Sequence, residues 1–295
     1  MFPQMRPSVL VALSFLPLPI LQAQYGTFDA KAVTAAKANT TLVVLDDGDS
    51  PFNRTIMDAM KANWKFTVSM DFINTHDLAT QPIDPTKNYV MKVTHSDPEK
   101  HEATFLVLVR GWKPKKGEVL NVANGAVTNM PLEQELASVM IDANALANTS
   151  SAMLHVYVKN MQDYLKQVES GKIKDKTTAD RLYQSRNRTI KDMELWIAKE
   201  HLDKSIPDEK KARETYSKQL QVMDLAQVMA AATEGKPGVA ISDMLLTGEY
   251  KTKWCFKRVF NANTGELMYL RDDAALSGKK EGFIGEDFRM LEQSR

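Results

Sequence analysis

From Thr40 to Leu45 the chain reads Thr-Thr-Leu-Val-Val-Leu, a short apolar run rich in β-branched residues and without alternation. That pattern predicts a strand buried on both faces. Asp46-Asp47-Gly48-Asp49 follows as a turn, with Ser50 placed to cap a helix and Pro51 at its first position. Phe52, Ile56, Met60 and Trp64 then recur every four residues, the stripe of an amphipathic helix. Lys65–Ile73 alternates as a second strand, so the segment predicts a βαβ unit with parallel strands. Asn88–His95 and Ala103–Arg110 predict a hairpin around residues 96–100. Leu132, Leu136, Val139, Met140 and Ala143 share one helical face and predict a helix over Leu132–Leu146.

The pattern changes after Asn148-Thr149-Ser150-Ser151. Met153, Val156, Tyr157, Met161, Tyr164, Leu165 and Val168 form one helical stripe that Gly171 stops. A second helix is predicted over Thr178–Leu202 and a third from Pro207 to Gly235, all with densely charged outer faces. Beyond it, Gly238–Met244, Lys251–Phe260 and Glu266–Arg271 read as strands, and Phe283–Leu291 as a closing helix. The fold expected is α/β or α+β: a mixed sheet with a βαβ unit and hairpins, plus an inserted or covering helical segment. Its parts would be an α/β domain over 24–150, a helical segment over 151–236, and a β-hairpin region over 237–295 completing the same sheet. No internal sequence repeat is visible.

The first 23 residues fit none of these elements. Arg6 supplies a positive start, Val9–Leu21 is apolar but interrupted by Pro17 and Pro19, and the small residue Ala23 precedes Gln24. This is the pattern of a secretory signal peptide, too short for a bilayer core that needs about 20 helical residues. It predicts an exported chain, periplasmic or extracellular, with no transmembrane segment after cleavage. Cys255 is the one cysteine, which excludes an internal disulfide framework and suits a bacterial exported protein. Thirty-eight basic against 37 acidic side chains leave a net charge of +1, and a dedicated nucleic-acid binder carries a larger basic excess.

The candidate chemistry is concentrated in one place. Ligands of open α/β sheets bind beyond the carboxyl ends of parallel strands. Asp46, Asp47 and Asp49 would stand there, three carboxylates able to bind a hard divalent cation such as Mg²⁺ or Ca²⁺. The same acids placed ahead of a helix also complement its dipole. His95 and His101 flank the predicted hairpin turn and could approach one another. No nucleophile elbow and no phosphate-binding glycine loop is visible.

Leu42–Asp47 resembles the first strand of a response-regulator receiver domain, but Asn88–His95 offers no strand-end aspartate to continue the pattern. The acidic turn cannot be brought into register with the dehalogenase-type phosphatase motif. The order strand, helix, then Trp64-Lys65-Phe66-Thr67-Val68 resembles the small α/β module of Gram-negative envelope proteins such as the Tol-system propeller protein and the curli-secretion pore family. The expectation is therefore a non-enzymatic binding or scaffold protein of the bacterial cell envelope, meeting an envelope partner through its charged helices. The alternatives are a metal-dependent hydrolase built on Asp46, Asp47 and Asp49, and a small-molecule binding protein.

Overall fold

A computed structural model describes residues 25–97, 101–115, 119–250 and 253–294. The predicted signal peptide and the tip of the predicted first hairpin, residues 98–100, lie outside the described residues. The first half of the chain runs α1 (Ala30–Ala36), β1 (Thr40–Leu45), α2 (Pro51–Asn63), β2 (Met70–Asn74), α3 (Thr75–Thr80), β3 (Lys87–Asp97) and β4 (His101–Arg110). A small hairpin, β5 (Val122–Ala123) and β6 (Ala126–Val127), precedes β7 (Glu135–Ile141), α4 (Ala143–Asn148) and α5 (Met153–Glu169). The second half runs α6 (Lys176–Asn187), β8 (Glu194–Ala198), α7 (Glu209–Arg213), β9 (Leu220–Met223) and α8 (Leu225–Glu234). It closes with β10 (Val239–Thr247), β11 (Trp254–Asn261), β12 (Leu267–Ala274) and α9 (Gly285–Gln293).

The class is mixed α/β, as the sequence predicts, but with two sheets. The first has the order β2-β1-β3-β4-β7, with β6 also pairing β3; the second has the order β9-β8-β10-β11-β12. The C-terminal strands therefore do not complete the first sheet. They join β8 and β9, which lie inside the segment predicted to be helical. Trp196, Ile197 and Ala198 are buried on both sides of β8, so this central strand shows no alternation and its apolar residues coincide with helical spacing. The same masking explains β7. Met140 packs on one face of the first sheet while Val139 and Ile141 pack on the other, so Leu136, Val139 and Met140 of this one strand imitate a helical stripe. Trp64–Val68 is no strand either: Trp64 caps α2 and its indole donates to Thr67 Oγ1 at 3.0 Å.

The two sheets share one topology. In each, the first strand lies second from one edge, the second pairs parallel with it as that edge, the third pairs parallel on its other side, and two antiparallel strands follow. Registers align the copies: Val43 pairs with Phe72, and Ile197 with Val222, each pair two residues ahead of the N-cap of the next helix, Asn74 or Asp224. The repeat is one of path, not of side chains, which is why the sequence hides it.

One core joins the halves. Val43, Val90 and Leu106 of the first sheet and Trp196, Ile241 and Phe260 of the second belong to the same cluster, with α5 between them. Helix α5 is accordingly buried nearly all round, the whole predicted stripe included. Leu245 and Phe256, at the far end of the β10–β11 hairpin, reach past β7 to the opposite face of the first sheet, beside Phe105 and Met140. At the junction stands Arg258 of β11. Its guanidinium donates to Asp243 Oδ2 (2.9 Å), to the Met140 carbonyl of β7 (2.9 Å) and to the Tyr157 hydroxyl of α5 (3.2 Å). Both Arg258 and Asp243 are 5% exposed.

Removing one member of such a pair leaves the other charge buried. Arg258→Ala is expected to lower the urea-unfolding free energy by about 3–5 kcal/mol. Arg258→Met combined with Asp243→Leu should lose markedly less, because no charge is stranded. Equal losses in the two variants would show that the arginine acts through packing alone.

Candidate functional site at the ends of the parallel strands

The β1–α2 loop is fixed by one residue that the sequence did not single out. Asn53, buried in the first turn of α2, accepts from the Asp46 N–H (2.8 Å) and donates to the carbonyls of Asp46 (2.9 Å) and Gly48 (2.7 Å). Ser50 caps the helix as predicted, accepting from the Asn53 N–H at 3.0 Å. An amide can satisfy a donor and two acceptors at once, so a single Asn clamps the turn. Its visible signal was a polar residue at the start of an apolar stripe.

The three acids then diverge. Asp46 Oδ1 lies 2.6 Å from the ammonium of Lys92, which is 8% exposed and projects from β3. Asp47 Oδ1 accepts from the Thr75 hydroxyl at 2.9 Å. Asp49 pairs with Arg54 at 2.6 Å on the surface. The Lys92 ammonium also stands 4.5 Å from the centre of the Phe52 ring, a desolvated cation–π contact. Above it sits the β5–β6 turn, where Gly125 has φ +73° and a Cβ would come within 2.8 Å of Asp46 Oδ1. A lysine ammonium thus occupies the place where Asp46 would offer itself to a metal ion. Among the described residues, no group of three His, Cys, Asp or Glu side chains is arranged to hold one.

The second sheet fills its corresponding strand ends differently. Ser242 of β10 is fully buried, and its hydroxyl accepts from the Ala198 N–H at the end of β8 (2.9 Å). The same hydroxyl is hydrogen-bonded to His201 Nδ1 at 2.8 Å. Burial holds the His201 pKa below the usual histidine value, against the opposing pull of Asp243 and Glu200.

The remaining candidates disperse. His95 approaches Glu135 (3.4 Å) and packs on Phe105, and the His101 side chain lies outside the described residues. His155 is buried beside Asn63, and burial lowers its pKa. Cys255 is buried in β11, with its thiol pushed up to about 12 by burial. The charged stretch predicted as one helix ends at Asn187. Within it, Asp180 pairs with Lys176 and Arg186 with Asp163, both at 2.6 Å. An open surface groove of about 550 Å³ lies beside β9, bordered by Lys191, Arg213 and Lys218. No protein-family model matches this chain, and comparison with curated proteins and with solved structures finds no match.

Lys92→Met should cost about 1–3 kcal/mol, the range for a polar group left unpaired on partial burial. Gly125→Ala should cost at least about 1–2 kcal/mol for its left-handed backbone alone, and more if the ion pair beneath is pushed apart. Thermal melts of the two variants check both, and an unperturbed Gly125→Ala protein would mean that the turn does not rest on the pair. A third concerns pH. His201 binds its proton more weakly folded than unfolded, where the pKa is about 6.5. Its stabilising contribution is therefore complete above that value and is lost as pH falls through and below it. Chemical denaturation between pH 7.5 and 5 should show falling stability, with a shallower slope in His201→Gln.

Proposed function

We propose that this chain is an exported, non-enzymatic binding or scaffold protein of the bacterial cell envelope. The observation that carries the reading is the separate commitment of Asp46, Asp47 and Asp49 to Lys92, Thr75 and Arg54. The strand ends, where an α/β enzyme would gather its chemistry, act here as a joint between β1, β3, α2 and the β5–β6 turn. The export element rests on Arg6, the apolar run Val9–Leu21 and Ala23. No helix among the described residues is long and apolar enough to cross a membrane. A hydrolase reading would require a divalent cation to displace Lys92 from Asp46.

The test has three parts on one preparation. The melting temperature in EDTA, Mg²⁺ and Ca²⁺ is expected to be unchanged. Saturation at 100 times the dissociation constant would add about 2.7 kcal/mol and be plainly visible. A cation shift abolished by Asp46→Asn/Asp47→Asn would replace the proposal with the hydrolase. Mass spectrometry of the processed chain should begin at Gln24, and crosslinking in cells should join it reproducibly to a defined envelope protein. A chain retaining Met1 in the cytoplasm would overturn the location.

A further inference from the structure

The outer edge of β9 is closed by a device with a suggestive geometry. In the β8–β9 ladder the Leu195 N–H donates to the Gln219 carbonyl at 3.0 Å. Backbone groups alternate in direction along a strand, so Gln219 and Gln221 face β8 while Leu220 and Val222 face outward. Both outward groups are taken by side chains of α7. The Val222 N–H donates to Glu209 Oε2 at 2.9 Å, and the Leu220 carbonyl accepts from Arg213 Nη2. Glu209 and Arg213 are in turn bonded to each other at 2.7 Å.

In a parallel ladder a single residue donates its N–H to one carbonyl and accepts, through its own C=O, from the N–H two residues further on. The guanidinium and carboxylate therefore stand in for the N–H and C=O of one residue of a parallel strand opposite Gln221. The equivalent donor of the first sheet, the Phe72 N–H, is also closed by a carboxylate, that of Asp71 at 2.8 Å. There the cap belongs to the edge strand itself. At β9 it belongs to a separate short helix, and its side chains are 45% and 39% exposed, so water competes for the pair. Beside this edge lies the groove of about 550 Å³, whose lining holds Lys191, Arg213 and Lys218 against one acid, Glu194; Gln221 engages Glu194, and Lys218 stands 3.8 Å from Glu292 outside the lining.

We propose that the β9 edge is a docking site for an extended acidic segment of a partner protein, added as a further parallel strand while Glu209 and Arg213 swing aside. The inference deepens the binding-protein reading and rests on it. Main-chain hydrogen bonds from the incoming segment replace the two that α7 gives up, and its acidic side chains meet Lys191 and Lys218. Protonation of Glu209 would weaken the cap, and its pKa is held low first of all by the Val222 N–H.

The probe is a fluorescein-labelled hexapeptide of alternating valine and glutamate, titrated into the purified chain by anisotropy. Relative to the native chain, Glu209→Ala/Arg213→Ala is expected to bind it about tenfold more tightly, and Lys191→Glu/Lys218→Glu about tenfold more weakly, each step a 1.4 kcal/mol change. A valine–lysine hexapeptide should not bind. Melting temperatures confirm that each variant is folded before it is titrated. Equal affinities across the three proteins would overturn the proposal. So would an opened variant that dimerises in light scattering without binding the probe, because the edge would then belong to a second copy of this chain. Neither failure touches the binding-protein reading, which is decided by the crosslinking and cation measurements.

Discussion

A buried guanidinium is the constraint on which this architecture turns. Arg258 cannot be left unpaired away from water, and its acceptors come from β10, β7 and α5. Those three elements must reach their final places together for the charge to be tolerated. The next residue back, Lys257, points to the opposite face of the same sheet. There it is fully buried between Asp273 of β12 and Asp287 of α9, both at 2.6 Å, and Tyr269 donates to the same Asp287 at 2.6 Å. Two consecutive cations on β11 thus bolt the second sheet to the layer on either side of it. A slip of one residue in the β10–β11 register would send each cation to the wrong face.

This arrangement explains why the strand ends of both sheets are filled by internal partners. The halves meet through their faces, with α5 between them and the β10–β11 hairpin overlapping the first sheet. The loops at the strand ends must hold those faces in register, and the polar groups there are spent on that task. Asp46 with Lys92 and His201 with Ser242 are different chemical solutions to the same topological position.

Local structure was legible where local physics decides it. The first strand and the helix from Pro51 are read directly, because a β-branched run, a Ser cap and a proline at the first helical position agree with one another. Reading failed where burial on two faces removes the period of two. Leu195–Ala198 and Glu135–Ile141 carry apolar residues whose spacing fits a helix, and only the neighbouring strands make them strands. The acidic turn was found in the right place, but its three carboxylates look alike in sequence. Lys92, Thr75 and Arg54, which separate them, are brought in by different elements. Asn53, which holds the turn, has no signature beyond being polar at the edge of an apolar stripe.

The repeated topology raises a question of growth. The two units stack in the same sense: the face of the first sheet that carries α2 and α5 meets the opposite face of the second, while the second carries α7 and α9 on its far side. A contact between unlike faces does not close on itself, and in principle a third unit could be laid on the second in the same way. Helix α9 stands where α5 stands in the first unit, but it has nine residues against 17 and buries only Asp287, Phe288 and Leu291. Its other side is polar apart from Met290. Helix α9 thus turns a mainly polar outer side away from the second sheet, as the terminal repeats of solenoids do, where α5 offers the apolar surface on which a unit stacks.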